Sequence, residues 1–391
     1  MIDDPQVPVR DLLLGPDAVE VLSLAVAQNG GVCTAAKPRQ VRYIPGSSIT
    51  VQYDAKVRWG DEAEASETLV VRSGRDLPAE AVRLDIDGTD TSVWRYSNDP
   101  YLPGLAAATD KDAVLNILGQ LGVNAGEVKL RRRAYRAGRR AVIEAVSPQT
   151  RLFIKVVRPS RVQRLQEIHQ SVAGELRVPH SFGWAADLGI VVIEALPGET
   201  LRKAIASSEY ELPGGSELVG LLDRMSSIEG LDRRVAGPVE RLRDHIRLLS
   251  AVLPHTTERL YRLVEEIAVP PEPEIAVHGD FHASQVITDH GKLVGLIDLD
   301  TMGRGERSND LATMIGQIST LALRDETYRK YGVTLINYFD QMVDPVGLRY
   351  RTAAVVVGFA TGPFRVQMPD WETEAEKRIA LAERWMDAAQ A

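Results

Sequence analysis

The stretch His278-Gly279-Asp280-Phe281-His282-Ala283-Ser284-Gln285, followed by Ile297-Asp298-Leu299-Asp300, constrains this chain more than any other feature, because a hairpin must join the two. Between them, Val286-Ile287-Thr288 and Leu293-Val294-Gly295-Leu296-Ile297 are β-branched or apolar runs flanking the turn cluster Asp289-His290-Gly291-Lys292. A hairpin returns its second strand beside its first, so Asp298 is expected next to Ser284 and Gln285. An amide oxygen and a carboxylate oxygen that meet at a loop edge are hard ligands suited to Mg2+, whose remaining positions go to water and phosphate oxygens. Asp280, on the loop before the hairpin, is placed to accept or orient the proton of an attacking hydroxyl. Asp300, read as two residues further along an extended strand, is expected on the same face as Asp298.

A surface hairpin with scattered aspartates is common, and a lone His-Gly-Asp triplet would carry little weight. The combination is more specific: HGDFHxxQ, a hairpin, IDxD, then Arg307 and Asp310-Leu311-Ala312 opening a helix. This pattern resembles the aminoglycoside phosphotransferase and choline kinase superfamily, the small-molecule relatives of protein kinases, over roughly residues 126 to 391. The resemblance implies an α+β, bilobal protein-kinase-like fold with a β-rich N-lobe and a helical C-lobe. It implies transfer of a phosphoryl group from ATP, with Mg2+, to a hydroxyl of a small molecule. Asp280 would be the catalytic base; Gln285 and Asp298 would bind metal, and Asp300 a second metal, water or the substrate. His278, His282 and Asp310 would support the catalytic loop. The superfamily usually has Asn at the position of Gln285. Maltokinase-like and glucosamine-kinase-like members carry Gln there, so the resemblance leans toward a sugar or amino sugar acceptor. The four-residue spacing of His278 and His282 invites a zinc reading, but Gly279 and the following hairpin argue against a metal-binding helix.

Upstream, residues 128–135, 140–146 and 151–157 read as three strands joined by the turn-like Arg136-Ala137-Gly138-Arg139 and Ser147-Pro148-Gln149-Thr150. Lys155 lies in the third, and a lysine inside an apolar strand is costly to bury unless paired. By resemblance it contacts the nucleotide phosphates, held by an acid on the next helix. Glu167 is the candidate, with Glu175 or no acid as rivals. The strand Val191-Val192-Ile193-Glu194-Ala195-Leu196 ends in Pro197-Gly198, and by its order along the chain resembles a hinge whose backbone from Glu194 to Leu196 meets adenine. The loop arginines Arg136, Arg139 and Arg140 either face solvent or approach phosphate.

The first 125 residues contain an echo of this lobe. Tyr43-Ile44-Pro45-Gly46 and Tyr135-Arg136-Ala137-Gly138 share a Tyr-x-x-Gly turn followed by a strand. The first copy has no lysine in its Leu69-Val70-Val71-Arg72-Ser73 strand, so it is expected to cap the second copy without binding nucleotide. Tyr101-Leu102-Pro103-Gly104-Leu105 reads as a linker and 110–121 as a connecting helix. The expected domains are a β-rich cap over 1–125, an N-lobe with hinge over 126–196 and a C-lobe over 197–391. Apolar spacing of three and four places helices near 215–228, 236–252, 256–268, 308–323, 326–342, 346–360 and 371–388. Asp370, Trp371 and Glu372 could stack on a sugar or hold an amine. The residues themselves favour a helix start capped by Asp370.

A net charge of -8 gives no electrostatic footprint for nucleic acid, and the single cysteine, Cys33, excludes an intrachain disulfide. Met1-Ile2-Asp3-Asp4 shows no basic and apolar leader, and no apolar stretch reaches bilayer length, so a cytoplasmic protein that meets no membrane is expected. A pseudokinase or regulatory nucleotide-binding module is the alternative of a different class. It would be expected had Asp280 or Asp298 been missing.

Overall fold

The computed structural model describes residues 2–391, so Met1 of the N-terminal segment lies outside the described residues. The chain forms two compact units. The first holds the chain as far as Gln163 together with Ser181–Glu194 and Pro363–Trp371; the second holds Arg164–His180, Ala195–Gly362 and Glu372–Ala391.

Two antiparallel sheets make up most of the first unit. One contains β1 (Gly31–Ile44), β2 (Ser48–Trp59), β3 (Ala65–Gly74), β4 (Val82–Ile86) and β5 (Thr89–Arg95), in the order β1-β2-β3-β5-β4. The other contains β6 (Lys129–Arg136), β7 (Arg140–Val146), β8 (Arg151–Val157), β9 (Ser181–Ala185) and β10 (Ile190–Glu194), in the order β6-β7-β8-β10-β9. The two orders are the same once the strands are renumbered, so the Tyr-x-x-Gly echo marks a repeat of a whole sheet.

The turn chemistry repeats as well. Gly46 and Gly138 take φ of +74° and +67°, a region that favours glycine, at the β1–β2 and β6–β7 turns. Asp4 Oδ2 accepts hydrogen bonds from Tyr43 OH at 2.6 Å and Gly46 N at 2.8 Å. Asp99 Oδ2 accepts from Tyr135 OH at 2.8 Å and Gly138 N at 2.7 Å. In both copies the second carboxylate oxygen takes the N–H two residues on, from Gln6 and Tyr101 respectively. The two aspartates escape a motif search because they lie 39 and 36 residues ahead of their tyrosines.

Strand register identifies the first copy's counterpart of Lys155. Val142 follows Tyr135 along β7 and pairs with Lys155; Thr50 stands at the same remove from Tyr43 along β2 and pairs with Arg72. The Arg72 guanidinium is already committed: Nε donates to Asp76 O at 3.2 Å, Nη1 to Thr50 Oγ1 at 2.9 Å and Nη2 to Arg75 O at 2.8 Å.

Residues 101–105, expected to be a linker, are packed into a core. Leu102 and Leu105 are buried in a core shared with Val70 and Trp94 of the first sheet and Leu152, Ile154 and Ile190 of the second. Burying a leucine of this kind contributes about 1.5–3 kcal/mol, enough to fix the segment in place. It leads into the helices Leu105–Thr109 and Lys111–Gln120, the latter capped by Asp110, whose carboxylate accepts from Ala113 N at 2.8 Å. The β-rich reading of the N-terminal region also omitted helix Ala18–Ala27, which buries Val21, Leu22 and Ala25.

The second unit is mainly helical, with helices at Gly215–Ser226, Pro238–Val252, Thr257–Glu266, Arg307–Leu321, Glu326–Phe339, Pro345–Ala360 and Trp371–Gln390. Five short strands interrupt them, two of which form the hairpin expected from the sequence. β11 (Glu199–Thr200) joins the hairpin of β13 (Val286–Asp289) and β14 (Lys292–Leu296), while β12 (Glu274–Val277) pairs with β15 (Gly303–Glu306). Beneath the hairpin lie Phe281, Ala283, Val286, Leu296, Leu299 and Met302, all fully buried against Leu311, Met314 and Ile315 of one helix. Among the described residues no helix is long and apolar enough to cross a membrane.

Candidate active site

The loop from His278 to Gln285 connects β12 to β13, and its shape is set from below. Asp310, in the first turn of helix Arg307–Leu321 and 2% exposed, accepts from His278 N at 2.7 Å and Gly279 N at 2.9 Å. Burial pushes the Asp310 carboxyl above the usual carboxylate range, against the opposing pull of His278 and the two amides. Gly279 has φ +76°, and a Cβ there would meet Thr301 O at 2.8 Å. Thr301 Oγ1 donates to His278 O at 2.8 Å, and His278 Nε2 lies 3.0 Å from Ile297 O. A carbonyl only accepts, so Nε2 of His278 carries the proton. Phe281 is fully buried and Ala283 O accepts from Arg202 N at 2.8 Å, so alternate residues of the loop face inward.

Removing the Asp310 carboxylate would strand two buried N–H donors, each costing about 1–3 kcal/mol. Asp310→Ala is expected to lower the midpoint of chemical denaturation and to weaken turnover together. A variant with wild-type stability would show that these bonds do not hold the loop.

Asp280 stands on the outer side of this loop, with its side chain 45% exposed. His282 Nδ1 accepts from Ser284 N at 3.2 Å, which places the imidazole proton on Nε2, 3.6 Å from Asp280 Oδ1. Burial pushes the Asp280 carboxyl up, but the His282 contact and the electrostatic pull of His282 and His278 outweigh it, so the net direction is below the usual range. Asp280 is therefore held ionised, as a base requires.

The hairpin brings Asp298 back to Gln285. Ile297 N donates to Gln285 O at 2.9 Å, and Gln285 Nε2 lies 3.3 Å from Asp298 Oδ2. Turning that amide by 180° would present Oε1 beside the carboxylate instead. Asp298 adopts φ +61°, ψ +54°, a left-handed conformation that costs a non-glycine residue about 1–3 kcal/mol. Strain of this size at a carboxylate beside an amide fits a pair shaped to share a hard cation such as Mg2+. No group of three or more His, Cys, Asp or Glu side chains able to hold a metal occurs among the described residues, and Mg2+ needs only one or two such ligands from the protein. The reading of Asp300 is corrected. It lies in a 3-10 turn, Leu299–Thr301, entered through the left-handed Asp298, so the alternation of a strand does not apply to it.

The other sequence candidates fall in both units. Lys155 is 6% exposed in β8, between Val142 and Val191, and Glu194 ends β10 opposite Leu152; both belong to the first unit. Glu167 of helix Pro159–Val172 and the buried Leu196 belong to the second. Asp370 is exposed, and Trp371 packs edge-on against Phe364 with ring centroids 5.1 Å apart. Trp371 thus begins helix Trp371–Gln390 as a packing residue, and Glu372, beside it in sequence, belongs to the other unit. Of the loop arginines left open by the sequence, Arg139 is held below the usual arginine range by burial first and then by the like charges of Arg42, Arg136, Arg365 and Arg140.

A buried aspartate bonded to the loop amides, an ionised aspartate on the outer side of the loop and an amide–carboxylate pair beside it are in keeping with the family resemblance of the sequence. Residues 132–342 match the model of the phosphotransferase enzyme family, more than half of the chain, and the chain belongs to that family. Aminoglycoside 3'-phosphotransferases of Escherichia coli and Salmonella typhimurium are each 30% identical over 79 residues, 19% of this chain. The chain thus spans 29% of the length of these curated relatives. Similar solved structures include aminoglycoside phosphotransferase APH(2'')-Ib with ADP bound, at TM-score 0.48 and 15% identity over 72% of this chain and 99% of that one. Another is the macrolide 2'-phosphotransferase MphH of Brachybacterium faecium, at TM-score 0.41 and 14% identity over 68% of this chain and 98% of that one.

Proposed function

We propose that this protein is an ATP- and Mg2+-dependent kinase that phosphorylates a hydroxyl of a small molecule. The observation that carries the reading is the pair of differently treated carboxylates on one loop system: Asp280 exposed and held ionised, Asp298 strained against Gln285. Asp280 would orient the acceptor hydroxyl and take its proton. Gln285 and Asp298 would hold Mg2+, which neutralises charge on the transferring phosphoryl group, and Asp300 would reach a second ion or water. Lys155, Glu194 and Leu196 would serve the nucleotide, with Glu167 as the acid for Lys155. His278 and Asp310 would keep the loop in shape. Positioning and electrostatics, with no covalent step on the protein, would supply the rate.

A sugar or amino sugar is the acceptor class favoured by Gln285, and an aminoglycoside is equally compatible with the relatives that the chain resembles. A pseudokinase is disfavoured because the base and metal positions are filled. A coupled ADP-release assay over sugars, amino sugars and aminoglycosides tests both points. Release with one acceptor and none without supports the kinase; ATP binding with no release on any acceptor supports the pseudokinase.

Asp298→Ala is expected to abolish Mg2+-dependent nucleotide binding in calorimetric titration, whereas His282→Ala should leave that binding in place. Equal losses in the two variants would contradict the assignment of Asp298 to the metal.

A further inference from the structure

Helix Arg307–Leu321 has two faces with different neighbours. Gln317 Nε2 donates to Ser284 Oγ at 3.3 Å, so one face meets the loop from His278 to Gln285. Ile315 stands two residues back, about 200° around the helix, and Ile318 lies on its side. That opposite face borders a cavity of about 630 Å³, closed by Val333 and Ile336 of helix Glu326–Phe339 and by Leu381 and Trp385 of helix Trp371–Gln390. All three faces belong to the second unit, and none of Asp280, Gln285 and Asp298 lines the cavity.

Protein interiors pack to the density of organic crystals, and apolar side chains ordinarily close such a space. Its volume falls within the range of small-molecule sites, about 300–1,000 Å³. Two of the helices do touch at one point. A Cβ on Gly332 would meet Ile318 Cγ2 at 3.0 Å, so the glycine permits a close approach there while the space beside it stays open. Val333 is 52% exposed, which brings the cavity wall to the surface, where a ligand can enter.

The polar groups of the lining set the chemistry of that ligand. Tyr328 OH already donates to Arg202 O at 2.8 Å, and Arg329 Nε lies 3.1 Å from Glu326 Oε2. Besides the Ser319 hydroxyl, two groups are left, and both only donate. Trp385 Nε1 is buried with no hydrogen-bond partner among the described residues, although a buried indole N–H ordinarily has one. Arg384, exposed at the adjoining position, has no hydrogen bond or ion pair among the described residues. No carboxylate lines the cavity. An apolar chamber with one guanidinium and one orphaned N–H suits an apolar body that carries a single, singly charged acceptor group.

We propose that this cavity binds a small amphiphilic carboxylate, its apolar body between the three helix faces and its carboxylate at Arg384 and the Trp385 N–H. The assignment does not depend on the kinase reading, since no residue of the loop takes part.

The test is calorimetric titration of the full chain with decanoate and with decyltrimethylammonium, the same chain carrying the opposite charge, both below their micelle concentrations. Decanoate is expected to bind wild type at least about tenfold more tightly than the ammonium compound, the size of a charge-assisted hydrogen bond. Arg384→Gln should narrow that gap. Ala322→Phe, which puts a ring into the cavity, should abolish decanoate binding without lowering the melting temperature. Ala388→Phe, on the exposed side of the lining, repeats the comparison if Ala322→Phe fails to fold. No binding of decanoate to wild type, undiminished binding in the filled variant, equal affinity for the ammonium compound, or a gap that Arg384→Gln leaves unchanged overturns the proposal. Wild type that ignores decanoate yet self-associates in sedimentation, with Ala322→Phe monomeric, would assign the cavity to a second copy of the chain instead.

Discussion

Asp280→Asn is expected to lower kcat by about a hundredfold or more while leaving Mg2+-nucleotide affinity nearly unchanged, because the carboxylate acts in the chemical step and not in nucleotide binding. The substitution is nearly isosteric and the side chain is 45% exposed, so folding should survive it. The direction of its pKa adds a second readout. A carboxyl lowered in the folded protein keeps its charge, and the stability derived from it, above the unfolded value near 4, and loses both as pH falls through the lower folded value. The acid limb of kcat/KM due to Asp280 is therefore expected below about pH 4. His282→Ala removes the leading favourable contact and leaves the burial, so the limb should move to higher pH. Full activity in purified Asp280→Asn would remove the proposed base, and an acid limb unmoved by His282→Ala would show that the histidine does not hold it ionised.

Much of the loop system is legible in the sequence because its signals are local. The turn Asp289-His290-Gly291-Lys292 sits between two apolar runs, and that is enough to return Asp298 to Gln285. The Asp310 bonds join elements 31 and 32 residues apart, and no pattern inside either element specifies them. Asp300 shows a limit of a different kind. Period-two reasoning requires an extended backbone, and a single left-handed residue at Asp298 breaks it. Nothing in Ile297-Asp298-Leu299-Asp300 announces that conformation, since aspartate is tolerated there without being required. The packing of the Leu102–Leu105 segment was hidden by its composition. Pro103 and Gly104 signal a break in secondary structure, and they are silent about whether the flanking leucines are buried.

The repeat was visible as two short turns, and its depth depends on register, which gives the second large prediction. Arg72 and Lys155 occupy the same ladder position in two sheets of the same strand order, so position alone would predict the same role for both. Their surroundings separate them. Each nitrogen of the Arg72 guanidinium donates one N–H, to Thr50 Oγ1, Arg75 O or Asp76 O, which pins three of its five donors against β2 and the turn after β3, and its loss frees three acceptors there. Lys155 is a point charge, 6% exposed, on the apolar strand β8 between Val142 and Val191. Lys155→Ala is thus expected to raise the KM for ATP at least about tenfold, one charge-assisted contact to phosphate being worth about 1.5–3 kcal/mol. Arg72→Ala should lower the melting temperature and leave that KM within about twofold, since exposed side-chain bonds to backbone contribute to stability and not to nucleotide affinity. Steady-state kinetics and thermal denaturation of the two variants, run side by side, decide between position and surroundings. If Arg72→Ala changed the ATP KM as much as Lys155→Ala at an unchanged melting temperature, both sheets would have to serve the nucleotide, and the N-terminal copy could no longer be regarded as a cap.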